Sequence, residues 1–430
     1  MSRPKVYLEG IKFNHNSASA THDALNIRKN ASQNVSSEWQ RGISVKAEDS
    51  PAVYALKETR GNTLSIKAKF SCDDSNINQI QVRALDPIGP HPPPGPIKVS
   101  PTNILMTLYY QVTYWIISTI CAPRLSTVGT NILGNAFRKK AVTVTGGQSK
   151  YVTLELNKPR LRDVGVGIHY IKWQWQYSLD GNTWTPMENR HSYHKIYTIL
   201  AVPQRNWLQQ AQSDQEKTQL PWTDVLDYAC HWAKGTHTFD QSAGCITTSI
   251  YDLGHTFNAN NERILEYEGN LPNYTISEFN CTLFLDRLRG GTGRGKKVSC
   301  VDMAAMVAIF ANILGCNLAE STMGEYANGQ WTLFSINPVL PVGLTQWQSG
   351  QWSYHALAWT GKYSWNDTIF DACIMVSNDP SLPRQTPVLP VKMLFGQAGT
   401  GNFFDRLVAP KDRHIPKPVP GYGLSQRKVI

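Results

Sequence analysis

The sequence predicts an α+β protein: an N-terminal antiparallel β-sandwich over residues 1–205, then an α+β domain over 206–410 in which a central helix packs on an antiparallel sheet. Three observations carry this. Apolar and polar side chains alternate with a period of two through the first half, a polar connector follows residue 205, and a charge-free apolar run lies between Asp302 and Glu320. The chain has 430 residues, beyond the ~250 at which single cores stop growing, so two cores are expected, with 411–430 as a tail.

The strands come first. Leu64, Ile66, Ala68 and Phe70 share one face against Ser65, Lys67 and Lys69; Ile80, Val82 and Ala84 repeat the scheme, as do Val152, Leu154 and Leu156. In IKWQWQYSLDGNTW, Ile171, Trp173, Trp175 and Tyr177 alternate with Lys172, Gln174 and Gln176, and Asp180-Gly181 offers a hairpin turn. The general style is that of an immunoglobulin-like sandwich.

Residues 88–125 interrupt this pattern. A proline-rich stretch, DPIGPHPPPGPIKVSP, precedes NILMTLYYQVTYWIISTICA, and no charge occurs between Lys98 and Arg124. Residues 104–121 reach the ~18-residue lower end of a bilayer span, while their Thr, Gln, Ser and β-forming content fits buried strands. Core strands and membrane contact both stand as readings.

After the connector QRNWLQQAQSDQEKTQLPW, the stretches WTDVLDYACHWAKG and YTISEFNCTLFLDRLRG read as amphipathic helices. The strongest helix is VSCVDMAAMVAIFANILG. Ser299 and Asp302 form an S-x-x-D capping box, Gly315 is placed for the C′ position, and no polar face separates them, so this helix is expected to be central and buried. WSYHALAWTGKYSWNDTIFDACIMV reads as a hairpin with Gly361 in its turn. His355, Leu357 and Trp359 share a face of one strand, Asp367, Ile369, Asp371 and Cys373 a face of the other, and Asp371 falls opposite or diagonal to the imidazole.

Cys300 then stands in the first turn of a buried helix, where free backbone N–H groups and the positive end of the dipole favour thiolate. His355 can take its proton and Asp371 can orient the ring. The order and spacing of VSCVDMAAMVAIFANILG, YHALAW and IFDACI resemble the transglutaminase-like thiol enzymes, relatives of the papain-like proteases, over roughly residues 220 to 400. That resemblance implies acyl-enzyme chemistry: Cys300 attacks an amide or peptide carbonyl of a protein or peptide substrate, His355 shuttles the proton, and Asp371 orients His355. The acyl group passes to water, giving hydrolysis or deamidation, or to an amine, giving a crosslink. The family's oxyanion donor is often a tryptophan, and none lies closely upstream of Cys300, the nearest being Trp232 and Trp222, so that role is unassigned. No metal or other cofactor is expected.

Blander readings compete at each position. Cys300 alone would be a buried thiol and His355 a hydrogen-bonded core histidine; Asp367 shares the strand parity of Asp371 but is less shielded, and Asp302 is a helix cap rather than a catalyst. RGGTGRGKK, residues 289–297, imitates a phosphate loop but has Lys297 where Ser or Thr is needed and follows a helix, so it is read as a flexible basic rim. Cys230, His231, His237 and Cys245 match no zinc-site spacing, and Cys316 and Cys373 sit in apolar surroundings.

The net charge of +10 is spread along the chain, which disfavours a nucleic-acid partner. The N-terminal MSRPKVYLEGIKFN has no apolar signal region, so synthesis in the cytoplasm is expected. With the apolar insertion and proline stretch, this suggests a bacterial effector or toxin moved by a specialised export machine. The competing classes are an inactive transglutaminase-like binding scaffold and a membrane-interacting translocator.

Overall fold

The computed structural model describes residues 3–16, 20–86, 131–137, 141–269, 272–275, 277–377, 391–419 and 427–430. In the first half, β1 (Val6–Lys12), β2 (Glu38–Gln40), β3 (Ala52–Ala55), β4 (Ser65–Cys72), β5 (Gln79–Leu85), β6 (Asn135–Phe137), β7 (Val142–Thr143), β8 (Val152–Asn157), β9 (Gly167–Ser178) and β10 (Thr185–Ile199) hydrogen-bond into one sheet. Its order is β2-β1-β4-β8-β6-β5-β9-β10-β3, with β7 beside β5. The pairing of β10 with β3 is parallel; its neighbour β9 runs antiparallel to β10.

The alternation read from the sequence is the alternation of the core. Ile66, Ala68, Phe70, Ile80, Val82, Ala84, Leu154, Ile171, Trp173 and Trp175 are all buried, and the lysines between them are not. The expected pair of packed sheets takes the form of a single curled one. Register shifts between Leu8 and Gly10, and between Pro186 and His191, bend the long strands. The curl brings β10 back to β1, where the Asn189 side chain accepts from Leu8 N at 2.9 Å and donates to Leu8 O at 2.7 Å. Asp180 does not make a two-residue turn. Its carboxylate accepts from the backbone N–H groups of Asn182 and Thr183 at 2.8 and 2.7 Å, organising a longer loop between β9 and β10.

The parallel ribbon of β3 and β10 is apolar on both faces. Ala52, Tyr54 and Ile196 face the core inside the curl, whereas Val53, Ala55, Tyr197 and Ile199 belong to a second core with Trp222, Val225, Leu226 and Ala229. The second half therefore packs on the outside of the sheet.

The second half contains β11 (Glu266–Tyr267), β12 (Lys297–Val298), β13 (Ala319–Gly324), β14 (Tyr326–Ala327), β15 (Gln330–Trp331), β16 (Phe334–Pro341), β17 (Gln348–Trp352), β18 (Tyr354–Trp359), β19 (Thr368–Asp371), β20 (Ile374–Met375), β21 (Val391–Leu394) and β22 (Lys417–Val419). Five of these form an antiparallel sheet in the order β21-β19-β18-β13-β22. The helix Cys300–Asn312 lies across β13, β18 and β19 and is buried over its whole length. Met303, Met306, Val307, Ile309 and Phe310 are at 0% exposure, each such burial contributing roughly 1.5–3 kcal/mol before the entropy of ordering.

Around this helix the structure departs from the sequence pattern twice. Phe239–Asp252 is a helix that the Thr, Ser and Gly content of FDQSAGCITTSIYD conceals; it is capped by Thr238 and packs on the central helix. The helix expected to begin near Tyr274 begins at Cys281 instead. Among the described residues no helix is long and apolar enough to cross a membrane, and residues 104–121 lie outside the described residues.

Candidate active site

The tip of the central helix is fixed by its own sequence. Ser299 Oγ accepts from Asp302 N at 3.3 Å, and Asp302 Oδ2 accepts from Ser299 N at 3.0 Å, the expected capping box. Asp302 does more than cap. Its Oδ2 also accepts from Asn273 N at 2.9 Å, and its Oδ1 from Tyr274 N at 2.9 Å, Thr275 N at 3.0 Å and Thr275 Oγ1 at 2.8 Å. This fully buried carboxylate therefore ties segment 273–275 to the helix tip and is consumed by backbone donors. At the other end Gly315 adopts φ +93, and an added Cβ would lie 2.8 Å from Ala201 O.

Cys300 is the first residue of that helix and is 9% exposed, whereas Cys373 is at 0%. His355 enters from β18, and Cys300 is near enough to be one of the influences that raise the pKa of its ring.

The hairpin register places the carboxylate. Ala358 pairs with Phe370 and Trp359 with Ile369, so Asp371 falls across from Leu357 and diagonal to His355. His355 Nε2 meets Asp371 Oδ2 at 2.8 Å. Asp371 Oδ1 accepts from Cys373 N at 2.8 Å, fixing the carboxylate from behind. Both side chains are about 1% exposed. Asp367 is elsewhere: its Oδ2 accepts from Lys362 N at 3.0 Å and Ser364 N at 2.7 Å and builds the turn.

Two aromatic rings hold the imidazole in plane. Trp352 lies 4.9 Å away, centroid to centroid, tilted 32°, and Phe403 lies 6.4 Å away, stacked at 22°. Burial is the largest single influence on His355 and pulls its pKa down. The charge and hydrogen bond of Asp371, joined by the hydrogen bond and charge of Cys300, together outweigh it and push the pKa up to about 10. The ring is thus held as imidazolium through neutral pH.

The residues RGGTGRGKK are neither a phosphate cradle nor a free basic rim. Lys296 and Lys297 both bind Glu266, at 3.1 and 2.6 Å, and Arg289 binds Asp224 at 2.9 Å. The buried Arg287 donates to the carbonyls of Ile264 and Gly291 at 2.9 and 2.6 Å and to that of Arg263, locking the chain that leads into β11.

Of the residues expected from the sequence, the structure pairs His355 with Asp371 and sets Cys300 at the helix tip near the ring. The sequence holds no sign of Trp352 and Phe403 beside the ring beyond the position of Trp352 three residues before His355, nor of the support from Cys373. The Asn273-Tyr274-Thr275 triplet, which signifies nothing by itself, is the segment bound by Asp302.

No protein-family model matches the chain, and no curated protein matches it. Among solved structures, the crystal structure of red sea bream transglutaminase is similar to it, at 10% sequence identity and a TM-score of 0.31 over 76% of this chain. The chain spans half the length of that transglutaminase, 50% of which is covered.

Proposed function

We propose that the protein is a cysteine-dependent acyl-transfer enzyme of the transglutaminase-like kind, acting on amide or peptide bonds of a protein or peptide. One observation carries the reading: a cysteine at the helix tip lies beside a buried imidazole that is itself bound at 2.8 Å to a carboxylate whose other hydrogen bond, among the described residues, is from one backbone N–H. A histidine needed only for packing would not require a buried carboxylate, since burying a charge pair costs more than burying two apolar side chains.

In the proposed reaction the proton of Cys300 already resides on His355 as the imidazolium, and the sulfur attacks the carbonyl carbon as thiolate. The C=O π pair moves onto oxygen, and the backbone N–H of Cys300, free at the helix start, can donate to it. His355 gives its proton to the leaving nitrogen as the C–N bond breaks, leaving a thioester that water or an amine resolves. Asp371 stabilises the imidazolium and orients the ring.

Within the same proposal, residues 206–410 form the catalytic domain and residues 1–205 an accessory domain. Delivery as an exported effector and membrane contact through residues 104–121 belong to it as well, on the sequence features given above. The test is alkylation by iodoacetamide near neutral pH, followed by mass spectrometry of a target lysate. Cys300 should react faster than free cysteine, and a deamidation, cleavage or crosslink should vanish with Cys300→Ala. Alkylation no faster than free cysteine, with unchanged lysate products in Cys300→Ala, would leave the inactive scaffold as the answer.

A further inference from the structure

The attack of Cys300 on a carbonyl calls for hydrogen-bond donors to the oxyanion beyond the backbone N–H of Cys300 itself. The neighbouring strand offers a hydroxyl. β11 and β12 run parallel, Tyr267 lies opposite Val298, and Glu268 N donates to Val298 O at 2.8 Å. Cys300 follows Val298 through Ser299, whose backbone is extended at φ −105 and ψ 172. Side chains two apart on an extended chain point the same way, so Tyr267, Val298 and Cys300 project from one side of this ribbon.

The strand is held firmly. Tyr267 N donates to Val342 O at 2.9 Å, Glu266 is clamped by Lys296 and Lys297, and Arg287 grips the preceding carbonyls. The half-buried Tyr267 ring packs on the same core as Cys300 and Asp371's strand. Burial, and after it the charges of Cys373, Cys300 and Asp371, hold the Tyr267 hydroxyl protonated, which places its oxygen in their field and makes it a donor at all working pH. The hydroxyl donates to no described residue. It passes over Gly269, where an added Cβ would come within 3.0 Å of it.

We propose that Tyr267 is a further catalytic residue, its hydroxyl donating a hydrogen bond to the carbonyl oxygen as the Cys300 sulfur adds to the carbon. This rests on the thiol reading above. The S–C bond forms, the C=O π pair becomes the oxyanion, and Tyr267 keeps its proton throughout. When the oxyanion collapses the C–N bond breaks, and the proton on the leaving nitrogen comes from His355.

Two probes separate this role from an effect on the sulfur. Iodoacetamide alkylates by displacement at saturated carbon with no oxyanion, whereas p-nitrophenyl acetate acylates through one. In the full-length protein, after subtracting the Cys300→Ala background, Tyr267→Phe should slow the nitrophenolate burst on the order of 10-fold to 100-fold and leave alkylation unchanged. Gly269→Ala, which crowds the hydroxyl without removing it, should slow acylation in the same selective way. Equal rates of acylation in wild type and Tyr267→Phe overturn the assignment, as does a parallel fall in both reactions, because Tyr267 would then act on the thiolate. Wild-type alkylation no faster than free cysteine is a separate outcome and overturns the thiol reading itself, and Tyr267 with it.

Discussion

Asp371→Asn tests the electrostatics of the site most directly, because it removes one charge and keeps the shape. His355 sits in a cavity where burial alone would drive its pKa below 6.5, yet the pKa is pushed up to about 10, chiefly by Asp371 among the favourable influences. The gap between those values corresponds to roughly 5 kcal/mol of preference for the charged ring. Breaking a buried pair by removing one partner costs about 3–5 kcal/mol, so the two estimates agree in scale. With asparagine in place, burial dominates and His355 should lose its proton below the ordinary histidine range. Carbon-13 resonances of the histidine rings, followed against pH, read this titration, and the Cys300 alkylation rate at neutral pH should fall at least 10-fold. The sign for stability follows from the raised pKa. The His355 contribution is fully present below about 6.5 and is lost as pH rises through about 10, so the urea midpoint of the wild type should decline across that window and that of Asp371→Asn should not. A variant that still titrates near 10, or alkylates at the wild-type rate, would refute the assignment of Asp371 as the group that holds the imidazolium.

Three further outcomes follow from residues outside the reacting atoms. Asp302→Ala removes six hydrogen bonds from a buried carboxylate and should cost roughly 3 kcal/mol or more, with faster amide exchange at residues 273–275 in native-state hydrogen exchange. Arg427→Met leaves Glu320 without the guanidinium 2.9 Å away and should lower stability by about 3–5 kcal/mol; since burial raises Glu320 to about 7 against an ordinary 4.5, wild-type stability from this group falls as pH climbs between those values, and the urea midpoint of the variant should drop further at pH 7.5 than at pH 5. Gly315→Ala forces a Cβ into a φ of +93 and against Ala201 O, for a loss of about 1–3 kcal/mol in thermal or urea unfolding.

What the sequence disclosed was local or had a short period. The capping box of Ser299 and Asp302, the glycine at 315 and the parity that sets His355 and Asp371 on facing strands all depend on residues close in the chain, so their chemistry could be read directly. The alternation of Ile171, Trp173, Trp175 and Tyr177 was equally open, because the inside of a curled sheet demands it. What stayed hidden depended on distant partners. Residues 274–280 have a helical pattern, but the N–H groups of Tyr274 and Thr275 are taken by a carboxylate 27 to 28 residues away, and the helix cannot start there. The Phe239–Asp252 helix forms against its own propensity because Ile246, Ile250 and Tyr251 are buried. The curl of the first sheet arises from strand bulges and from Asn189 reaching Leu8, 181 residues apart, and no window of sequence contains that contact. The pairing of Tyr267 with Val298 is a two-residue parallel ladder, too short to leave a pattern.

The ribbon of β3 and β10 has no rear side. Stripping away everything before residue 206 would remove Val53, Ala55, Tyr197 and Ile199 from beneath Trp222, Val225 and Leu226, and the remaining fragment would carry a bare apolar patch on its flank. Severed pieces of this chain should clump or melt more readily than the intact molecule, and evolution could exchange the front of the molecule only for something offering the same apolar back.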